Sequence, residues 1–294
     1  MADGWRLTAL WLYSKHMLPL VEIDVDPVIW RVGPLALRWY SLMIMVGVLV
    51  GVWLAARFAA KRGVAADDVH SAAFWIVGAG IVGARLAHVI DRFDYYRDNP
   101  AKILAIYEGG LAIWGGLLAG GLAGWLYTRR YHIPFWPFAD SVAYGAILGQ
   151  AIGRIGCIIN GDVAGKPTGG DWGFVYTNPN ALLPKAEYFN VATHPYPLYE
   201  MGLDLALFGL LFLVARRVRL DGAVFLVYCV GYALIRFFLT FVREEEMFLF
   251  GLQQAQVLSL LVIVLAAYCY LYLRSQRARL ASDRTAREAA PARA

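Results

Sequence analysis

The chain has 294 residues, of which 60% are hydrophobic and only 17% charged, with 29 glycines and a mean hydropathy of +0.52. That balance argues against a soluble enzyme, a disordered chain and a disulfide-stapled secreted domain, and for a single polytopic membrane unit. The formal charge of +5 does not point to nucleic acid, because the basic residues fall in short clusters between apolar runs instead of on one face.

Residues 4–18 are expected to lie on the bilayer surface. Trp5, Leu7, Leu10, Trp11 and Leu12 alternate there with polar residues, and Lys15, His16 and the lack of a small-residue cleavage site speak against a signal peptide. Seven segments are long and apolar enough to span a bilayer: about 38–57, 70–90, 110–128, 140–159, 198–215, 222–242 and 253–273. The connections after the first, third and fifth carry Arg57/Lys61/Arg62, Arg129/Arg130 and Arg216/Arg217/Arg219. The tail carries Arg274, Arg277, Arg279, Arg284, Arg287 and Arg293, whereas the even connections hold Asp91, Asp94 and Asp98, then Glu244, Glu245 and Glu246. The positive-inside rule therefore places the N-terminus outside and the C-terminus in the cytoplasm. The reading is an all-α polytopic protein with one integral-membrane domain over 1–275. The connection of about 160–197, rich in Gly, Pro, Asn and aromatics, is expected to form a small extracytoplasmic cap with short β elements. Residues 276–294 read as a disordered basic tail.

Cys157, Cys229 and Cys269 are far apart and show no CxxC or Cys/His spacing, so neither a metal site nor a disulfide framework is indicated, and no cofactor is expected. The ionisable residues inside the spans carry the functional signal, since each costs about 2.5–3.5 kcal/mol at a helix centre. Arg85, Arg154 and Arg236 lie in the second, fourth and sixth spans, and Asp204 is the only comparable acid. Too few counter-charges suggest an anion from the bilayer, a lipid phosphate gripped by the guanidinium fork. The structural alternatives are pairing with Asp204, Asp140 or Glu200, bonding to helix-end carbonyls, or snorkelling. Around Arg154, Gly149, Gly153 and Gly156 are expected to leave a bare face for a headgroup, and Asn160 and Asp162 follow at the helix exit with Gly161 and Gly165. Arg243 lies two turns beyond Arg236.

The stretch GRIGCIINGDVAG (153–165) resembles the signature of the bacterial prolipoprotein diacylglyceryl transferases, approximately GR-x-GN-x-x-N-x-E-x-x-G. DPVIWRVGPLALRWYSLM, GARLAHV, EGGLAIWGGLLAG, THPYPLYE, YALIRFFLTFVRE and GLQQAQVLSL match in order, so the resemblance covers about 25–272. It implies an inner-membrane enzyme, with its site toward the outer face, that moves the diacylglyceryl group of phosphatidylglycerol onto the lipobox cysteine of a prolipoprotein. A thioether forms and glycerol phosphate leaves. By this resemblance Arg154 holds the lipid phosphate, Arg236 stabilises the leaving group, Tyr40 and Tyr232 are the functional tyrosines, and Asn160 and Gly165 are signature positions. Arg85 and Arg243 join the substrate-binding set.

Four positions depart from the family pattern. Trp114 replaces a histidine, Cys157 an asparagine, Asp162 a glutamate and Thr240 a glutamate. Trp114 cannot accept a proton, which leaves Asp162, His88 or the local positive field to help the thiol ionise, while His194 reads as a cap residue. A non-catalytic lipid-binding relative is therefore an alternative. A secondary transporter would show related halves, and none are visible; a retinal protein needs a lysine within 253–273, which has none.

Overall fold

The computed structural model describes residues 20–33, 35–243 and 247–289; the expected surface helix over 4–18 and the acidic run 244–246 lie outside the described residues. Seven long helices follow the seven apolar segments: α1 Trp39–Ala60, α2 Ala66–Asp91, α3 Ile113–Arg130, α4 Phe135–Asn160, α5 Tyr196–Arg217, α6 Ala223–Leu239 and α7 Gln254–Ala289. Among the described residues, six of them are long and apolar enough to cross a membrane. The exception is α3, whose 18 residues include Arg129 and Arg130 as well as Gly115, Gly116, Gly120, Gly121 and Gly124, residues that lower its hydropathy. The fold is thus a mostly helical, polytopic membrane one. The two largest departures from the expected helix boundaries are in α4 and α7. Phe135 begins α4 a turn and a half early, because Pro134 ends the preceding loop and Pro137 is tolerated in a first helical turn. At the other end, α7 runs to Ala289 instead of ending near 273. The Ala, Arg, Leu and Glu residues of 274–289 are strong helix formers, and propagating an existing helix adds one hydrogen bond per residue, so this part of the expected disordered tail is helical.

Glycines set the helix pairing. A Cβ on Gly145 of α4 would stand 2.1 Å from the Gly51 carbonyl oxygen of α1, and one on Gly149 would stand 2.8 Å from the Gly47 oxygen. Each helix contributes two glycines four residues apart, the small-xxx-small seam that lets backbones touch where lipid supplies no hydrophobic drive. Helices α2 and α3 meet in the same way, with Gly115 against the backbone of Gly83. Helix α5 then packs on α4, and α6 and α7 complete the row. The central core joins α1, α4, α5 and α6 through Leu54, Ala143, Tyr144, Ile147, Leu207, Leu211 and Val224, with the Phe58 ring stacked on Tyr144 at 4.3 Å.

The end of the bundle where α1 turns into α2 is tied by one buried acid. Asp140 Oδ2 accepts from Arg62 at 2.7 Å and from the Gly222 N–H at 2.9 Å, while Oδ1 accepts from the Phe225 N–H at 2.8 Å. The carboxylate thus neutralises Arg62 and answers the open N–H groups at the start of α6. Asp140→Ala is expected to cost about 3–5 kcal/mol, because it strands a guanidinium and two buried amides. Thermal unfolding in detergent should show Asp140→Asn falling less than Asp140→Ala; equal stability of Asp140→Ala and the parent protein would refute this account.

At the opposite end, the 161–195 connection carries β4 (Gly173–Tyr176). It pairs in parallel with β1 (Leu20–Ile23), from Leu20 against Gly173 to Ile23 against Tyr176. Thr193 exchanges both backbone hydrogen bonds with Phe174, and Ala164, Phe174 and Tyr176 form a small core beneath. The hairpin β2 (Val28–Val32) and β3 (Leu35–Arg38) leads into α1, and a second, β5 (Met247–Leu249) and β6 (Leu252–Gln253), leads into α7.

Candidate active site

Three helices deliver charge to one point near the C-terminal turns of α4. On α5, Tyr196, Glu200 and Asp204 recur every four residues, and on α6 Tyr232 and Arg236 do the same, so each set lies on one helix face. Arg154 of α4 donates to Glu200 Oε1 at 2.5 Å, and Arg236 Nη1 stands 3.6 Å from Glu200 Oε2. Tyr232 donates its hydroxyl to Glu200 Oε1 at 3.0 Å, and the Tyr196 hydroxyl accepts from Arg236. Glu200 is fully buried, while the side chains of Arg154 and Arg236 keep 16% and 20% of their surface exposed. One carboxylate therefore serves two guanidiniums. Asp204, a turn further along α5, is fully buried, and among the described residues neither of its oxygens is hydrogen-bonded.

Glu200 and Tyr196 are the residues that sequence reasoning undervalued. Glu200 was weighed only as one of several possible partners, because the predicted fifth span began at 198 and left it at a helix end. The four-residue spacing of Tyr196 and Glu200 in PYPLYE was the available signal. The expected shortage of counter-charge is accordingly corrected to a shared one.

Arg85 is corrected more fully. Its Nε and both Nη groups donate to the carbonyls of Lys102, Ile103, Ala105, Gly109 and Gly110 at 2.5–3.3 Å, and its guanidinium lies 5.2 Å from the Tyr96 ring centroid. With these donors directed at backbone carbonyls, it organises the loop entering α3, the carbonyl-bonding alternative of the sequence analysis. His88 belongs to the same group, edge-on to Tyr96 and against Gly110, and Trp114 is exposed nearby at the start of α3.

The remaining expected residues gather around Arg154. Cys157, one turn beyond it, is buried with Sγ 3.9 Å from Arg154 Nη1, and it packs with Val163, Tyr196 and Tyr40. Asn160 is buried and donates to Asp162 Oδ1 at 2.8 Å, while its own Oδ1 has no hydrogen-bond partner. Asp162 lies close enough to Tyr40 and Cys157 to act on both electrostatically. Gly161, at φ +79°, turns the chain out of α4 in a left-handed conformation that favours glycine. Arg243 places its guanidinium 5.6 Å from the Tyr196 ring centroid. Thr240, fully buried, donates to the Arg236 carbonyl at 2.5 Å, so this position serves the helix end.

Of the three glycines read as a bare face, only Gly153 has open space where a Cβ would stand. Gly149 is spent on Gly47, and Gly156 on Tyr40, whose Cα would lie 2.8 Å from a Cβ. Gly165 is likewise a packing residue, with room for no side chain against His194 and the Val242 carbonyl. His194 sits edge-on to Trp172 at 5.1 Å; burial, and then the charge of Lys166, hold its imidazole below the usual histidine range.

A cavity of about 530 Å³ opens beside Arg154, bounded by α1, α2, α4 and the first turns of α3, with Tyr228 of α6 on one wall. Arg154, Gln150, Tyr40, Cys157 and Tyr228 supply its polar groups, and the rest is aliphatic. Among the described residues, no cluster of three or more His, Cys, Asp or Glu side chains is arranged to hold a metal ion.

The family model for prolipoprotein diacylglyceryl transferase matches residues 27–272. The chain belongs to this family. Among curated diacylglyceryl transferases, one from Dehalococcoides mccartyi (strain ATCC BAA-2266 / KCTC 15142 / 195) is 37% identical over 254 residues, 86% of this chain and 95% of the relative. One from Corynebacterium efficiens is 40% identical over 262 residues (85% and 81%), and one from Symbiobacterium thermophilum is 40% identical over 250 residues (83% and 92%). Each is named a phosphatidylglycerol–prolipoprotein diacylglyceryl transferase. The matched range takes in both arginines, Glu200 and the whole cavity lining.

Proposed function

We propose that this diacylglyceryl transferase takes the diacylglyceryl group from phosphatidylglycerol and joins it to the lipobox cysteine of a prolipoprotein, at the Arg154–Glu200–Arg236 cluster. The observation that carries the reading is the shared carboxylate: a buried pair of guanidiniums holds one Glu200, beside an apolar cavity that reaches Arg154. The guanidinium of Arg154, where it lines the cavity, can grip a phosphodiester, and the acyl tail of such a lipid suits the apolar walls. In this reading all seven long helices span the bacterial inner membrane, the 161–195 connection caps the outer face, and the site opens toward that face.

The chemistry is attack by a thiolate sulfur on an sp³ glycerol carbon. The carbon–oxygen bond to phosphate breaks, its electron pair departs on glycerol phosphate, and a thioether forms. Such a displacement gains most from alignment and from stabilising charge on the departing phosphate. Arg154 grips the phosphate with a planar fork, and Arg236, held by Tyr196 and Glu200, adds positive charge as the leaving group develops. Tyr232 keeps Glu200 in place by its hydrogen bond. Asp162, oriented by Asn160, receives the thiol proton, and Tyr40 forms the wall against which the reacting carbon is held. Arg243 lines the approach over Tyr196, and no metal or organic cofactor enters the scheme.

The test is mass spectrometry of a lipobox peptide incubated with purified protein and phosphatidylglycerol. The expected product carries one diacylglyceryl group on cysteine, with glycerol phosphate released; no product from folded, lipid-bound protein would instead identify a non-catalytic relative. In the same assay Asp162→Asn is expected to lower the rate and flatten its rise with pH, and an unchanged pH–rate profile would remove the base role.

A further inference from the structure

The cavity beside Arg154 is a blind slot. Its α4 wall runs from Arg154 through Gln150, Ala146 and Val142 to Phe138, positions that recur every four residues and so lie on one helix face. At 1.5 Å per residue that wall is about 24 Å long, whereas one leaflet of a bilayer core is about 15 Å deep. The far end is closed, because Phe138, Ala55 and Val69 there belong to a tightly packed cluster of buried residues. The slot has a volume of about 530 Å³ and is open along its side, so one acyl chain can lie in it while the other stays in the surrounding lipid.

We infer that this slot selects phosphatidylglycerol by the length of one acyl chain, with Val142 and Ala146 as specificity-determining residues and the Phe138 floor as the stop. The inference rests on the proposed transfer reaction and names how that site chooses its lipid. Charge sets the depth from which length is measured: the phosphate is pinned at Arg154, so one chain enters at that level and descends along α4. The second chain remains in the surrounding lipid. A chain too short for the floor leaves apolar wall without contacts, and the dispersion energy of those contacts is lost. A chain longer than the slot must fold back at the mouth.

The residues differ in depth, which makes the inference testable. Ala146 lies about 12 Å below Arg154 along α4 and Val142 about 18 Å below. Ala146→Phe should plug the slot high, and Val142→Phe should plug it low. Wild type and both variants would be given vesicles holding equal dilauroyl- and distearoyl-phosphatidylglycerol. Bound lipid would be read by native mass spectrometry, and the lipidated peptide by its mass. The expected result is a distearoyl preference in the wild type. Val142→Phe reduces that preference, and Ala146→Phe reverses it, in bound lipid as well as in product.

Bound-lipid profiles equal to wild type in both variants, or a loss of binding alike for both lipids, would overturn the inference. So would a raised KM for the peptide with no change in lipid profile, which would make the slot a peptide site. Length-selective binding without any lipidated peptide from the wild type would leave the slot standing and remove the transfer reaction. Should Ala146→Phe fail to fold, Val142→Phe decides alone by its own smaller shift.

Discussion

Arg154→Ala is expected to abolish transfer while the protein stays folded in the membrane. The side chain is the one guanidinium that both binds Glu200 and lines the apolar cavity, so its removal takes away the group that meets the phosphate. Loss of a single well-placed donor to a developing oxyanion costs roughly a hundred- to a thousandfold, and loss of an arginine at a phosphoryl group up to about a hundred-thousandfold. We expect a fall of at least about a thousandfold in kcat/KM, with Arg154→Lys in between, since an ammonium keeps the charge and loses the fork. Arg236→Ala should be as damaging to kcat but gentler on lipid binding, because Arg236 lies outside the cavity lining. Transfer rates with native mass spectrometry of bound phosphatidylglycerol separate the two effects. Near-normal activity of either alanine variant would refute the phosphate role of the pair.

Glu200 substitutions should produce the second large effect, and one on stability as well as rate. In Glu200→Ala, Arg154 and Arg236 face each other with no carboxylate between them, and Tyr232 loses its acceptor. Breaking a buried pair from one side costs about 3–5 kcal/mol, and here two cations depend on the same acid. Glu200→Gln retains the shape and an acceptor for Tyr232, so it should unfold at a temperature between those of wild type and Glu200→Ala. Its transfer rate should nonetheless drop about a hundredfold or more, as the guanidiniums lose the charge that fixes their geometry. Thermal unfolding in detergent and transfer rates on the same preparations check both statements. Wild-type activity in Glu200→Gln would show that the carboxylate merely fills space.

The legible part of this protein is the part written in local pattern. Helices α1, α2 and α4 to α7 announce themselves as apolar runs, and α3 was found although its glycines dilute its hydropathy. Arg154 and Arg236 stand out for the same reason, since a charge within an apolar helix is costly enough to require a cause. The four-residue spacing of Gly47 with Gly51 and of Gly145 with Gly149 was also visible. Its use was misread at Gly149 and Gly156, because a bare face looks the same whether a lipid or a neighbouring backbone will cover it.

Length, hydropathy and charge distribution along the chain determined the helices, the basic clusters between them and the two arginines worth asking about. Tertiary structure alone decided which charge meets which: Arg154 and Glu200 are 46 positions apart, and Arg62 and Asp140 are 78. It also spent the donors of Arg85 on loop carbonyls, gave Thr240 to a helix end and closed the slot at Phe138. Each of these depends on how far one helix is rotated and shifted against another. That relation is set by side-chain packing between distant segments, and the hydropathy and periodicity of a single segment carry no record of it.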